Sequence, residues 1–119
     1  MHSRHKGQME KLKTLDQLLE ITSQAEGLAS DGVDTDTLRS LFGKIRRIAQ
    51  EEHAKNKEHT QRDALSPTRY QLCIIGIVEE CNLNRSSSLS LVGLQGRLSR
   101  MHEDISRTIK EIKASRQIM

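Results

Sequence analysis

The sequence predicts an all-α protein: a compact four-helix bundle with a long C-terminal helix. Three observations carry this. Apolar residues recur at three- and four-residue intervals along most of the chain, which is the spacing of a helix stripe. Pro67 is the only proline and the seven glycines are thinly spread, too little turn chemistry for an all-β domain. Leu, Ile, Val, Met and Phe together supply 32 of the 119 residues, above the roughly 20 % below which chains tend to stay disordered. The core so formed is modest and almost wholly aliphatic, with one Phe, one Tyr and no Trp. At 119 residues the chain fits one domain, since domains average about 100–200 residues. Residues 1–7 read as a flexible basic N-terminus and 8–119 as a single helical domain.

The first helical segment runs from about Gln8 to Glu26, with Met9, Leu12, Leu15, Leu18 and Leu19 on its apolar side. Gly27 reads as its stop and Ser30-Asp31-Gly32 as a turn. The second begins at Asp34, a good N-cap, with Asp36 favouring the helix dipole. Its apolar face is Leu38, Leu41, Phe42, Ile45, Ile48 and Ala49. After Gln50 the pattern fades, and helix is expected to about His59, with polar linker as the alternative.

The third segment is expected over Pro67 to Cys81. Ser66 is its cap, and Pro67 suits the first helical position because no partner awaits an N–H there. Ile74, Ile75, Ile77 and Val78 cover more than one side, the mark of a buried helix, so this segment is placed at the centre of the bundle. The fourth begins near Ser87 or Ser88 and runs to about Ser115. Leu91, Leu94, Leu98, Met101, Ile105, Ile109 and Ile112 alternate at three and four, close to a coiled-coil seam. This helix outruns its neighbour. Its tail must pack on the second helix, hang free or meet another copy.

Composition excludes several roles. The longest apolar run, Leu72 to Val78, is far below the ~18–20 residues of a membrane span. The N-terminus lacks the apolar stretch of a secretory signal. The chain is expected to be intracellular, cytoplasmic or nuclear. Cys73 and Cys81, eight apart on one helix, are separated by about 12 Å of rise and cannot reach the ~7 Å that a disulfide needs; they read as buried, unreactive thiols.

No nucleotide-binding, zinc-protease or hydrolase motif occurs. Glu51, Glu52, His53 and His59 read as a solvated charged face, and His2 and His5 as a weak metal pair. No catalytic residue, metal site or cofactor is therefore assigned, and a non-enzymatic role is expected.

Two binding readings remain. In the first, the aliphatic edge Leu94, Leu98, Met101, Ile105 and Ile109 docks a protein partner or a second copy. Gly93 and Gly96 would then permit close approach, and the neighbouring basic residues would favour an acidic partner. In the alternative, an oligomer contacts nucleic acid through Arg46, Arg47, Arg97, Arg100, Arg107 and Lys110. The net charge of +3 permits this, and phosphate contacts would make affinity salt-dependent. The near-absence of aromatics speaks against base stacking. Ser86, Ser87 and Ser88 after Arg85 are candidate phosphorylation sites at a helix start, or simply caps.

Overall fold

A computed structural model describes residues 2–63, 68–82 and 90–118, with side chains at 9–55, 68–82 and 90–114. It contains four helices, α1 (His2–Ser30), α2 (Thr35–Asp63), α3 (Arg69–Glu80) and α4 (Leu91–Ile118), and no strand among the described residues. The helices form a ring in which α1 packs most extensively on α4 and α2 on α3, with α1 also meeting α2 and α3 meeting α4. Cross-links between residues 52 and 70, 80 and 100, and 29 and 95 make adjacent helices antiparallel. The molecule is an up-and-down four-helix bundle.

α1 starts at His2 rather than near Gln8. Extending an existing helix adds one hydrogen bond per residue fixed, and only the nucleus is costly. Arg, Lys and Gln in this stretch are good helix formers. α1 also passes through Gly27, where an added Cβ would meet nothing among the described residues, so that glycine is no stop. The stop is Gly32. Its φ of 79° is left-handed, a conformation that carries no Cβ penalty in glycine. Gly32 N–H donates to Ala29 O and Val33 N–H to Leu28 O, both at 3.1 Å. That pair of bonds is a Schellman cap, and Leu28 and Val33 both pack against the core beside it.

Asp34 caps α2 as expected, accepting from the Thr37 N–H at 2.7 Å. The helix continues to Asp63, four residues past the expected end. α3 is shorter than expected. Its N-cap is Thr68: Thr68 Oγ1 accepts from the Gln71 N–H at 3.2 Å, and Gln71 Oε1 accepts from the Thr68 N–H at 2.9 Å. This reciprocal capping box starts α3 at Arg69, and the expected cap and first residue, Ser66 and Pro67, lie outside the described residues. Ser90 caps α4, its Oγ accepting from the Gly93 N–H at 3.3 Å.

The core comes from all four helices. Leu15, Leu18, Leu38, Phe42, Ile45, Ile74, Leu94, Leu98 and Ile105 are fully buried. Two buried polar residues are satisfied within their own helices: Thr22 Oγ1 donates to Leu18 O at 2.7 Å, and Thr108 Oγ1 to Asp104 O at 2.8 Å. α3 is not the centre. It buries Tyr70, Cys73, Ile74 and Ile77, but Leu72 on its far side is 48 % exposed. In a ring of four helices every member keeps an outward face, however apolar its composition.

Candidate functional site

The residues expected to dock a partner are inside the chain itself. Leu94, Leu98, Met101, Ile105 and Ile109 are all buried in the core. The three-four stripe of α4 is satisfied by its own bundle, as in any antiparallel bundle. Met101 Sδ lies 3.6 Å from Cys81 Sγ. Of the two glycines invoked for close approach, an added Cβ at Gly96 would find, among the described residues, only Arg100 Nη1, at 3.7 Å.

The basic residues are gathered differently from the sequence pattern. Arg97 Nη1 donates to the carbonyl of Glu80 at 2.9 Å, closing the C-terminal end of α3. The Glu80 carboxylate receives Arg100 through Nε at 3.2 Å and Nη2 at 3.1 Å, a two-pronged pair suited to the guanidinium fork. Arg107 pairs with Glu103 one turn away at 3.0 Å. Three of the six arginines and lysines proposed to meet phosphates are thus already held by carboxylates of the same chain. Arg47 and Lys110 are exposed. Arg46 is half-buried, and its Nε has no hydrogen-bond partner among the described residues. Arg46 and Arg97 both act on Cys81 electrostatically, so basic residues of α2 and α4 converge at the C-terminal end of α3.

The other end of α3 carries opposite charge. Arg69 Nη2 donates to Asp104 Oδ1 at 2.8 Å, and Arg69 Nε lies 3.3 Å from Glu111 Oε2. Arg69 with Asp104 and Glu111 leaves one net negative charge, while Glu80 with Arg97 and Arg100 leaves one net positive charge. Between these ends, Leu72, Ile75, Gly76 and Glu79 follow i, i+3, i+4, i+7 and share one helix face. Ile75 and Gly76 are half-buried and Glu79 is exposed.

A second feature lies between α1 and α4. An open groove of about 560 Å³ is lined by Glu26, Ser99, His102, Glu103, Ser106, Arg107 and Lys110. His102 Nδ1 lies 2.5 Å from Glu26 Oε1. An ionised carboxylate only accepts, so Nδ1 carries the hydrogen. This bond, with Gln95 Nε2 donating to Ala29 O at 3.2 Å, stitches α4 to α1. A carboxylate-oriented histidine is also the form in which imidazole serves general-base chemistry, though sequence patterns alone give no hint of this pair, which is 76 positions apart.

The two cysteines are buried thiols. Burial pushes both up from 9.0 to about 12, which keeps them protonated and unreactive near neutrality. Tyr70 is raised as well, first by burial and then by its bond to Glu52. Among the described residues no three of His, Cys, Asp and Glu cluster as a metal site requires, and no helix is long and apolar enough to cross a membrane. The Ser86 to Ser88 candidates lie outside the described residues. Compared with known proteins, the chain matches no family model, no curated sequence and no solved structure.

Proposed function

We propose that the chain is a non-enzymatic helical interaction module whose docking surface is the outward face of α3. The observation that carries this is Leu72, 48 % exposed beside Ile75 on a helix whose other side is fully engaged with the core. The stripe Leu94, Leu98, Met101, Ile105 and Ile109 of α4 has no such freedom, being buried in the core. A large apolar side chain left to water between two rows of charge is the pattern of an interface anchor with a polar rim. Affinity capture with the full chain, compared with Leu72→Glu and read by mass spectrometry, tests it. Specific, identified proteins, or the chain itself, retained by the natural sequence and lost with Leu72→Glu are the expected result. An identical set on both overturns the reading.

A second reading has one specific observation behind it: Arg46, Arg97 and Arg100 from two helices converge on the end of α3, where Arg97 donates to the Glu80 carbonyl and Arg100 to the Glu80 carboxylate. Nucleic-acid binding through these residues with Arg47, Arg107 and Lys110 predicts affinity that falls steeply with salt. Anisotropy titration of duplex and single-stranded DNA and RNA at low and high salt checks it. Absence of binding at the lower salt removes it.

A further inference from the structure

We infer that the occupant of the α3 face is a second copy of this chain, with the two α3 helices antiparallel. This rests on the docking reading above and specifies its partner. Three features of the face are self-complementary. The first is shape. Leu72 projects, and Gly76, one turn further along the same face, leaves a hollow in which an added Cβ would meet, among the described residues, only Asp104 Oδ2, at 4.0 Å. In a two-fold pairing a contact of residue i with residue j is repeated as j with i, so each Leu72 seats over the partner's Gly76 and both hollows are filled. A glycine inside a helix is costly relative to alanine, and packing among the described residues gives Gly76 no reason to be glycine.

The second feature is charge. The Arg69, Asp104 and Glu111 end of the face is net negative, while at the other end Arg46, Arg97 and Arg100 outnumber Glu79 and Glu80 by one. Antiparallel stacking lays each acidic end over a basic end, twice by symmetry. Parallel stacking would lay like on like. Glu111 and Arg100 are respectively half and three-fifths exposed, so both are available to a partner.

The third is extent. α3 has 12 residues and is about 18 Å long, too short alone for the ~800 Å² that each partner buries in a standard interface. The flanking rows of α2 and α4 must join it, and a two-fold axis perpendicular to α3 and lying in the interface plane places α4 over α4 of the second copy. An interface with only Leu72 and Ile75 as its apolar centre is of the weaker, reversible kind.

Sedimentation velocity of the purified full chain, from low micromolar to near-millimolar concentration, tests this. The expected result is a mass rising reversibly from one copy toward two. Leu72→Glu weakens the pairing by about tenfold or more, as loss of a central anchor does. Gly76→Ala gives two effects of opposite sign: it fills the hollow and weakens pairing, and it raises the thermal midpoint of the dilute monomer. In an equimolar mixture of Leu72→Cys and Gly76→Cys chains under oxidation, the mixed disulfide exceeds the two symmetric ones together, the share that random encounter gives, because only antiparallel pairing brings 72 and 76 within the ~7 Å required. A chain that stays monomeric throughout overturns the second-copy inference, while Leu72-dependent capture of a different protein would still uphold the docking face. A dimer indifferent to both Leu72→Glu and Gly76→Ala, or a mixed disulfide no more abundant than the two symmetric ones together, also overturns it.

Discussion

Arg97 and Glu80 meet twice: Arg97 Nη1 donates to the Glu80 carbonyl at 2.9 Å and lies 3.7 Å from its carboxylate. One side chain of α4 thus satisfies a carbonyl in the last turn of α3, where helices leave acceptors without partners. Only about a fifth of the Arg97 side chain is exposed, so solvent screens this pair less than a surface ion pair. Arg97→Ala is expected to cost about 1–2 kcal/mol in urea unfolding. Arg97→Lys is expected to recover only part of that loss, because a lysine lacks the forked donors.

Leu98 is a core residue, and its substitutions report on folding. Leu98→Ala is expected to cost about 2–5 kcal/mol, the usual range for a buried leucine. Leu98→Asp buries a charge without a partner and is expected to abolish the helical circular dichroism signal at room temperature. Leu72→Glu, at an exposed site, is expected to leave that signal intact. If Leu98→Asp stayed fully helical and cooperative, the placement of the α4 seam in the core would be wrong.

Stability is expected to decline at alkaline pH. The folded state holds the Cys73 and Cys81 thiols protonated, with their titration moved from 9.0 up to about 12, and it raises Tyr70 above its ordinary 10.0. Above pH 9 the unfolded chain sheds protons that the folded chain keeps, so rising pH favours unfolding. The stabilisation is complete below pH 9 and is lost progressively as pH climbs toward 12. Urea midpoints measured at successive pH values should fall across that window, and the fall should be shallower in Cys73→Ala. A thiol reagent at neutral pH should react only as the chain unfolds.

The two caps should differ in kind. Thr68→Ala removes the side chain that accepts the Gln71 N–H and is expected to cost about 1 kcal/mol. Gly32→Ala forces a Cβ onto a residue at φ 79°, with nothing crowding the site. Its cost, also about 1 kcal/mol, is purely conformational. Gly27→Ala, in an ordinary helical position with open space, is expected to stabilise by up to about 1 kcal/mol. Thermal melts of the three variants check the ordering.

Much of the fold was legible because helix periodicity and capping are local. Asp34, the apolar face of α2 and the α4 stripe all follow from spacing alone. Gly32 is legible as part of a turn, but the helix stop falls on it and not on Gly27 because what distinguishes the two is the Val33 N–H to Leu28 O bond of the Schellman turn, and not the glycine itself. The central placement of α3 failed for a related reason. A run that is apolar on two sides does not say which side a ring of helices leaves outward. The site was less legible still. A three-four stripe looks the same whether it closes its own bundle or a neighbour's. The pairing of Arg97 and Arg100 with Glu80, and of His102 with Glu26, depends on which helices are adjacent, which no local pattern encodes.

The aromatic content has an optical consequence. With no tryptophan and one tyrosine, the near-ultraviolet absorption and emission of this protein belong to Tyr70 alone among its tyrosine and tryptophan chromophores. That ring is buried, lies under the Lys11 ammonium at 5.4 Å from its centroid, and donates its hydroxyl hydrogen to Glu52 at 2.6 Å. A carboxylate so placed accepts the phenolic proton in the excited state and dims emission. Separation of α3 from α2 therefore registers as brightening from a single unlabelled residue, a built-in probe for kinetics of the opening of one helix pair.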